Sequence, residues 1–264
     1  MVIGVTDLNL AISNYRKLGF RVEKGGIHSG GVSHNALIFL GDDTFLELFA
    51  FRPSSKTSML RILSRLGGRA RWRKKASKGH LARFTRNLFG REGLMDVCVK
   101  TLDLHKTVRR IREQQINISQ PKEFYRLRPD QIRMGWQLAF PKVLTLPFII
   151  GPVMPNILKE PEDFEHTNGA VAIKGLTIAV RDMESHIQMY RKLLETDPQI
   201  GRDGQNAIAT FEIGRHQLQL LEVADQQQEG LTEVTLYTVN GVEEKIDWKD
   251  ELLHHANIRL LPKY

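Results

Sequence analysis

An internal repeat constrains the fold of this sequence more than any other feature. Residues 5–8 (Val-Thr-Asp-Leu) lead to 15–18 (Tyr-Arg-Lys-Leu), and residues 180–183 (Val-Arg-Asp-Met) lead to 190–193 (Tyr-Arg-Lys-Leu) at the same spacing. In both copies an apolar run stops at an aspartate, whose carboxylate can accept the free N–H groups of a first helical turn. The following residues are apolar at helical spacing. Each copy therefore predicts a strand followed by an Asp-capped helix.

After each helix the repeat continues as two strands joined by a tight turn. Residues 35–38 and 206–209 open a strand, and the turns after them contain Gly41 and Gly214, which tolerate tight backbone angles. The closing strands are expected at 44–51 and 217–223, so each copy is a β-α-β-β-β unit. Two further units are predicted. The second unit has strands at 93–99, 132–140 and 146–151 and a helix at 104–115. The fourth, truncated unit has strands at 231–239 and 258–261 and a helix at 248–256.

These four units predict an α+β fold of repeated β-α-β-β-β modules, paired into curved mixed sheets around a cleft. We expect a first domain at 1–152, a linker at 153–169 and a second, degenerate domain at 170–264. The linker assignment rests on its prolines and charged residues.

Composition limits the class of protein. The longest apolar run, 143–153, is interrupted by prolines and is shorter than the roughly 20 residues that span a bilayer. The first residues lack the basic and long apolar regions of a signal peptide, which predicts a cytoplasmic protein without a membrane span. The single cysteine, Cys98, cannot form an intramolecular disulfide, and its apolar neighbours favour a small buried side chain.

Glu47 is the sharpest candidate for a functional residue. Strand alternation places it on one face with Phe45 and Phe49, while Leu46 and Leu48 face the other way. A charge among rings is costly unless it is paired, metal-bound or shifted in pKa. The alternative is a solvent-exposed Glu at a strand edge.

A glycine-rich segment, 25–35, is expected to be irregular and to bring two histidines beside this carboxylate. Histidine suits acid/base chemistry or metal binding, although hydrogen-bonded histidines in a plain connection would fit as well. The candidates for one cleft are Glu47 and His34 as catalytic residues, with His28, Asn35, Trp136 and Gln137 as substrate-binding residues. Trp136 could equally be a core residue.

Several segments in order resemble the bacterial glyoxalase-like domain proteins of the vicinal oxygen chelate superfamily. They are residues 25–40, 45–48, 135–141, 146–150 and 166–170. The resemblance implies a cleft where catalytic members hold a divalent metal with His and Glu from the first and last strands of each module. In the first unit the implied first His position falls ahead of Met1, and its counterpart in the third unit is Gly175. At the position that Glu47 takes in the first unit, the third unit has Gln219. We therefore expect an incomplete metal site at Glu47 and His34, or no metal.

The resemblance thus predicts a small-molecule-binding protein, either a lyase, isomerase or dioxygenase-type enzyme with a degenerate metal site or a non-catalytic binder that sequesters its ligand. Residues 52–91 contain many Arg and Lys residues and no Asp or Glu, which predicts a cationic two-helix connection. This segment leaves a polyanion-binding module as an alternative, although no nucleic-acid-binding motif accompanies it. The truncated last unit is also compatible with a homodimer.

Overall fold

Two mixed β-sheets carry the fold in the computed structural model, which describes residues 1–53, 83–84, 91–239 and 250–262. The first sheet has nine strands in the order β5-β1-β4-β3-β2-β7-β8-β9-β6. Their bounds are β1 (Val2–Gly4), β2 (Glu23–His28), β3 (Ser33–Phe39), β4 (Phe45–Phe51), β5 (Gly93–Asp96), β6 (Cys98–Lys100), β7 (Lys122–Leu127), β8 (Arg133–Ala139) and β9 (Phe148–Ile150).

The chain connectivity shows that this first sheet is strongly curved. Strands β5 and β6 stand at opposite ends of the strand order, yet only Val97 separates them in the chain. The two ends of the sheet must therefore lie side by side, so the sheet curls almost into a barrel around its inner face. This is the curved mixed sheet that the sequence predicted.

The second sheet has six strands in the order β11-β12-β13-β10-β14-β15. Their bounds are β10 (Ala170–Val180), β11 (Gln199–Asp203), β12 (Asn206–Ile213), β13 (His216–Glu222), β14 (Gly230–Thr238) and β15 (Ile258–Pro262). In every one of the four predicted units the first and last strands pair in parallel, as β1·β4, β6·β9, β10·β13 and β14·β15. The strands of the two sheets come from separate parts of the chain, while the domain boundaries themselves stay a prediction.

Three helices of the described residues cover the outer faces of the sheets: α1 (Leu8–Lys17), α2 (Leu104–Glu113) and α3 (Met183–Leu194). The carboxylates of Asp7 and Asp182 accept first-turn N–H groups, as predicted. The core lies between the sheets, because α1 packs both on β3 and β4 and on residues of β10, β14 and β15. The inner face of the nine-stranded sheet is left for a separate apolar cluster. None of the described helices is both long and apolar enough to cross a membrane.

Two local expectations were wrong. The glycine-rich segment begins as strand β2, whose pairing with β3 has a register irregularity between Lys24 and Gly26. A side chain at Gly25 would overlap Asn35, and one at Gly26, where φ is +136°, would overlap the backbone of Leu127. Glycine thus permits the close approach of β2 to its two neighbours. Residues 250–255 form turns instead of a helix, with positive φ at His254 and His255, while the predicted start of that helix lies outside the described residues.

Most of the basic segment 52–91 also lies outside the described residues, and its two-helix character and polyanion binding stay predictions. Arg83 is an exception and is buried rather than solvated. Its guanidinium binds both carboxylate oxygens of Asp96 at 2.9 and 2.8 Å and three backbone carbonyls. The segment is therefore anchored to β5.

Candidate functional site

A cavity of about 420 Å³ occupies the inner face of the nine-stranded sheet. Strand alternation on β4 turns Phe45, Glu47, Phe49 and Phe51 into this cavity and leaves the intervening residues in the helix-covered core. The volume falls within the range of small-molecule sites, and the walls are mostly apolar and aromatic, as is usual for such sites. Glu47 thus lies among rings in a concave space, as its strand pattern indicated.

The same alternation decides which of the six candidate residues reach the cavity. Glu47, His28, Asn35 and Trp136 line it. His34 and Gln137 do not, because neighbours on a strand point to opposite faces and Asn35 and Trp136 take the inner one. The charged neighbours of His34 are Arg52 and Asp7, at the N-terminus of α1, and partial burial lowers its pKa. The expected pairing of His34 with Glu47, as catalytic residues or as metal ligands, is not present.

Glu47 is held by a short polar network at one end of the cavity. The Asn35 Nδ2 donates to Glu47 Oε1 at 2.7 Å, and the His28 Nε2 lies 3.7 Å from the same oxygen. Buried carboxylates are usually paired or hydrogen-bonded in this way, because an isolated charge loses its hydration. Both contacts involve Oε1 of Glu47, a residue that lines the cavity.

His28 is packed as well as hydrogen-bonded. Its ring stacks on Phe49 with centroids 5.7 Å apart and meets the edge of Trp136 at 6.1 Å. Its Nδ1 lies 3.0 Å from Ser33 Oγ. Burial lowers the pKa of His28 more than the nearby Glu47 carboxylate raises it, with Arg126 lowering it further. The imidazole is therefore neutral at pH 7 and can either donate or accept one hydrogen bond at Nε2.

The cavity also contains three long cationic side chains. Arg128 and Lys159 both contact Glu23, and Arg128 also forms an ion pair with Asp130 at 3.0 Å. Lys159 comes from the predicted linker segment 153–169, which contributes part of the cavity wall. Arg126 lies directly opposite His28 across the β2–β7 pair. Burial lowers the pKa of its guanidinium, and the Glu47 carboxylate opposes that effect.

The cavity-facing residues of the paired first and last strands are poor metal ligands. In the parallel pairs β1·β4 and β6·β9, the cavity-facing residues in register are Val2 opposite Glu47 and Cys98 opposite Phe148. Two of these four side chains are hydrocarbon, and burial raises the pKa of the Cys98 thiol, which disfavours the thiolate that binds metals. Over the described ranges, no group of three His, Cys, Asp or Glu residues could hold a metal ion. The residues present do not fit a divalent metal.

Asp96 is an oxygen donor in the first strand region of the second unit, but it does not supply a metal ligand to the cavity. Both of its carboxylate oxygens bind Arg83, and it lines a different depression on the outer side of the sheet. Burial raises the pKa of Asp96, and Arg83 opposes the shift. Its role is to anchor the basic segment.

Sequence reasoning missed several cavity residues, including the cation Arg126 and the aromatic residue Phe124. Both lie on β7, a strand that the repeat did not predict. A two-residue alternation was present there, with Phe124 and Arg126 on one face and Tyr125 between them. It could have indicated a strand beside the Trp136 strand, since Phe124 pairs with Trp136.

The fold and sequence can be compared with known proteins. The solved structure of a hypothetical protein from Staphylococcus aureus matches with a TM-score of 0.73 at 12% identity, over 99% of this chain and 97% of that one. A xylose isomerase-like TIM barrel/4-hydroxyphenylpyruvate dioxygenase fusion protein matches with a TM-score of 0.53 at 12% identity, over 90% of this chain and 35% of that one. At such identities these likenesses show the fold alone. No curated protein matches the chain.

The family match covers the part of the chain that builds the cavity. The sequence profile described as "Glyoxalase-like domain" matches residues 1–194, which include all nine strands of the first sheet and its linker. The curved α+β sheet and the parallel first and last strands agree with it. The chain belongs to the glyoxalase-like domain family.

Proposed function

We propose that this protein binds a small, largely apolar molecule in the cavity of its nine-stranded sheet, and that it does so without a metal ion. One observation carries the proposal. The four cavity-facing register positions of the parallel pairs β1·β4 and β6·β9 are Val2, Glu47, Cys98 and Phe148, and of these four residues only Glu47 carries a carboxylate. Apolar side chains at the other positions turn a metal centre into a hydrophobic wall.

The polar end of the cavity would then orient the ligand. Glu47 Oε1 is occupied by Asn35, and His28 is fixed by Ser33, so each presents one remaining polar atom in a defined direction. Pre-fixed polar groups lose little rotamer entropy when a ligand binds. We therefore infer that a donor group of the ligand contacts Glu47 or His28 while its apolar body packs on Phe49 and Trp136.

Calorimetric titration with 2-naphthamide, a neutral aromatic probe small enough for the cavity, tests this proposal. We expect Trp136→Ala to weaken binding about tenfold or more, since a stacked aromatic wall contributes on the order of 1 kcal/mol beyond its buried area. Tyr237→Ala is the matched control, because Tyr237 is a half-buried aromatic residue on β14 of the other sheet. Equal binding by Trp136→Ala and wild type, or no binding by wild type at millimolar probe, would contradict the proposal.

A catalytic version of the same function has Glu47 as a proton acceptor. The observation in its favour is the 3.7 Å separation of Glu47 Oε1 and His28 Nε2, which places an acid/base pair beside a site with apolar walls. Proton NMR in D₂O with 2-tetralone, a bicyclic ketone with exchangeable C–H groups, tests it. Exchange faster with wild type than with Glu47→Gln supports catalysis, and equal rates leave a binding protein only.

The cytoplasmic location, the homodimer and polyanion binding by the basic segment stay predictions from the sequence. Gel filtration and a filter-binding assay at two salt concentrations would test the last two.

A further inference from the structure

One charged side chain of the cavity, that of Arg126, has neither a hydrogen-bonded nor an ion-paired partner among the described residues. Arg126 lines the cavity, its Nε atom is buried, and the described residues supply no hydrogen-bond acceptor for that atom and no ion pair for the guanidinium. The guanidinium carbon lies 5.9 Å from the centroid of the Trp136 ring, a weak contact at best. A buried arginine without a hydrogen-bonded anion is energetically costly, so an unpaired one in a binding cavity indicates a missing anion.

The other charges around the cavity are already matched. Glu23 contacts Lys159 and lies 3.4 Å from Arg128, and Arg128 also holds Asp130. Glu47 accepts the hydrogen bond of Asn35 and forms no ion pair with Arg126 within the described part of the chain. Arg126 is thus the cation left over when the carboxylates near the cavity have been assigned.

The position of Arg126 also restricts the chemistry of the anion. A single guanidinium offers one planar fork, which fits the two oxygens of a carboxylate. A phosphate dianion would need a second uncommitted cation, whereas Arg128 and Lys159 are engaged by Glu23. The Glu47 carboxylate is close enough to oppose the fall in the pKa of Arg126, and it would repel a dianion more strongly than a monoanion.

We propose that the ligand of this cavity is an apolar carboxylic acid, whose carboxylate pairs with Arg126 while its ring or branched hydrocarbon body lies on Trp136 and Phe49. This inference rests on the proposed function and specifies its ligand class. Arg126 positions the acid group beside His28, its neighbour across the β2–β7 pair. The hydrocarbon walls around Phe124 and Phe148 then take the rest of the molecule.

A matched pair of probes tests the inference without any variant. Calorimetric titration of wild type at pH 7.5 with 2-naphthoate and with its neutral isostere 2-naphthamide isolates the charge. We expect the acid to bind roughly 10- to 100-fold more tightly than the amide, which is the range of a charge-assisted hydrogen bond. Equal binding of both probes overturns the carboxylic acid inference and leaves the proposed apolar cavity intact. No binding of either probe at millimolar concentration overturns both.

Variants then locate the effect. Arg126→Gln should reduce 2-naphthoate binding to the level that the same variant shows for 2-naphthamide. Arg126→Lys keeps the charge but loses the fork, so its affinity for the acid should be intermediate. Arg133→Gln is the control, because Arg133 is an exposed cation that stacks on Tyr125 on the neighbouring strand and does not line the cavity. Unchanged preference for the acid in a folded Arg126→Gln protein, checked by thermal unfolding, overturns the assignment.

Discussion

The two sheets contain the same unit with different residues at the position of Glu47. In the nine-stranded sheet, β1 and β4 pair in register with Val2 opposite Glu47, and in the six-stranded sheet β10 and β13 pair with Thr177 opposite Gln219. Glu47 faces a cavity that strands β6 to β9 of the next unit help to close. Gln219 belongs to a sheet whose fourth unit supplies only β14 and β15 among the described residues.

The Glu47 carboxylate is thus found in the unit whose sheet encloses it, and the neutral Gln219 stands at the same position in the other unit. A carboxylate in a nearly closed sheet has a fixed partner, Asn35, and a dry apolar environment that strengthens its interactions. On the six-stranded sheet a carboxylate would be solvated, and water would compete for its hydrogen bonds. The repeat therefore supplies the scaffold twice, and in the described part of the chain the nine-stranded sheet encloses the carboxylate of Glu47 in a cavity.

The largest expected effect concerns the anchoring of the basic segment to the nine-stranded sheet. Arg83→Met should lower the free energy of unfolding by about 3–5 kcal/mol, because it leaves the buried Asp96 carboxylate without its partner. Arg191→Met should cost less than about 1 kcal/mol, because the Arg191–Asp197 pair is exposed. Urea unfolding measures both. A loss below 1 kcal/mol for Arg83→Met would show that the segment is not needed by this sheet.

The second prediction builds a metal site into the enclosed sheet. The combined substitution Val2→His, Cys98→His and Phe148→Glu, together with native Glu47, places two imidazoles and two carboxylates at register positions that line one cavity. We expect Zn²⁺ affinity to rise at least about 100-fold over wild type, as such donor sets bind zinc. Competition with a zinc-sensitive dye measures it.

The six-stranded sheet offers the matched control for this metal site. Thr177→His with Gln219→Glu adds only two ligands at the corresponding register positions and should leave zinc affinity near that of wild type. Equal gains in the two proteins would show that enclosure by the second unit does not matter.

A reciprocal exchange of the two equivalent residues should have a smaller effect. Glu47→Gln should lower the free energy of unfolding by about 1 kcal/mol, since the charge-assisted bond from Asn35 becomes a neutral one. Gln219→Glu on the other sheet should change it by less than about 0.5 kcal/mol. Thermal unfolding at pH 7.5 compares them, and effects of equal size would remove the distinction between the sheets.

The smallest effect is a pH dependence of stability. Burial lowers the pKa of His28, so the unfolded chain binds more protons at this residue below pH 6.5 and stability falls as the pH decreases. His28→Gln should flatten this decline between pH 6.5 and 5, by at most about 1.4 kcal/mol per pH unit. His105→Gln on the exposed side of α2 is the control. A wild-type slope that persists in His28→Gln would assign the decline to other groups.

The sequence predicted the scaffold better than the site. Identical spacing around Asp7 and Asp182 was sufficient to predict the units, because the capping and periodicity that define them are local. The face of Glu47 followed from alternation alone. The same rule already forbids His34 and Asn35, or Trp136 and Gln137, from lining one wall together, so two of the six candidates had to point away.

Other features depended on contacts between distant parts of the chain. Strand β2 needs glycine where Asn35 and Leu127 approach its backbone, and neither neighbour is visible from residues 25–26. Arg126 matters because Glu23 engages the other cations, a distribution of charges that only the folded chain defines. The sequence predicts a helix at 248–256, whereas residues 250–255 form turns in which His254 contacts the distant Glu92.

Metal content and ligand binding, measured on the same preparation of wild-type protein purified without chelator, test the central claim most directly. We predict far less than one divalent metal ion per chain by mass spectrometry, and a 2-naphthoate affinity that EDTA does not change. One tightly held divalent ion per chain, lost together with 2-naphthoate binding in Glu47→Gln, would contradict the claim that hydrophobic side chains have replaced the metal site.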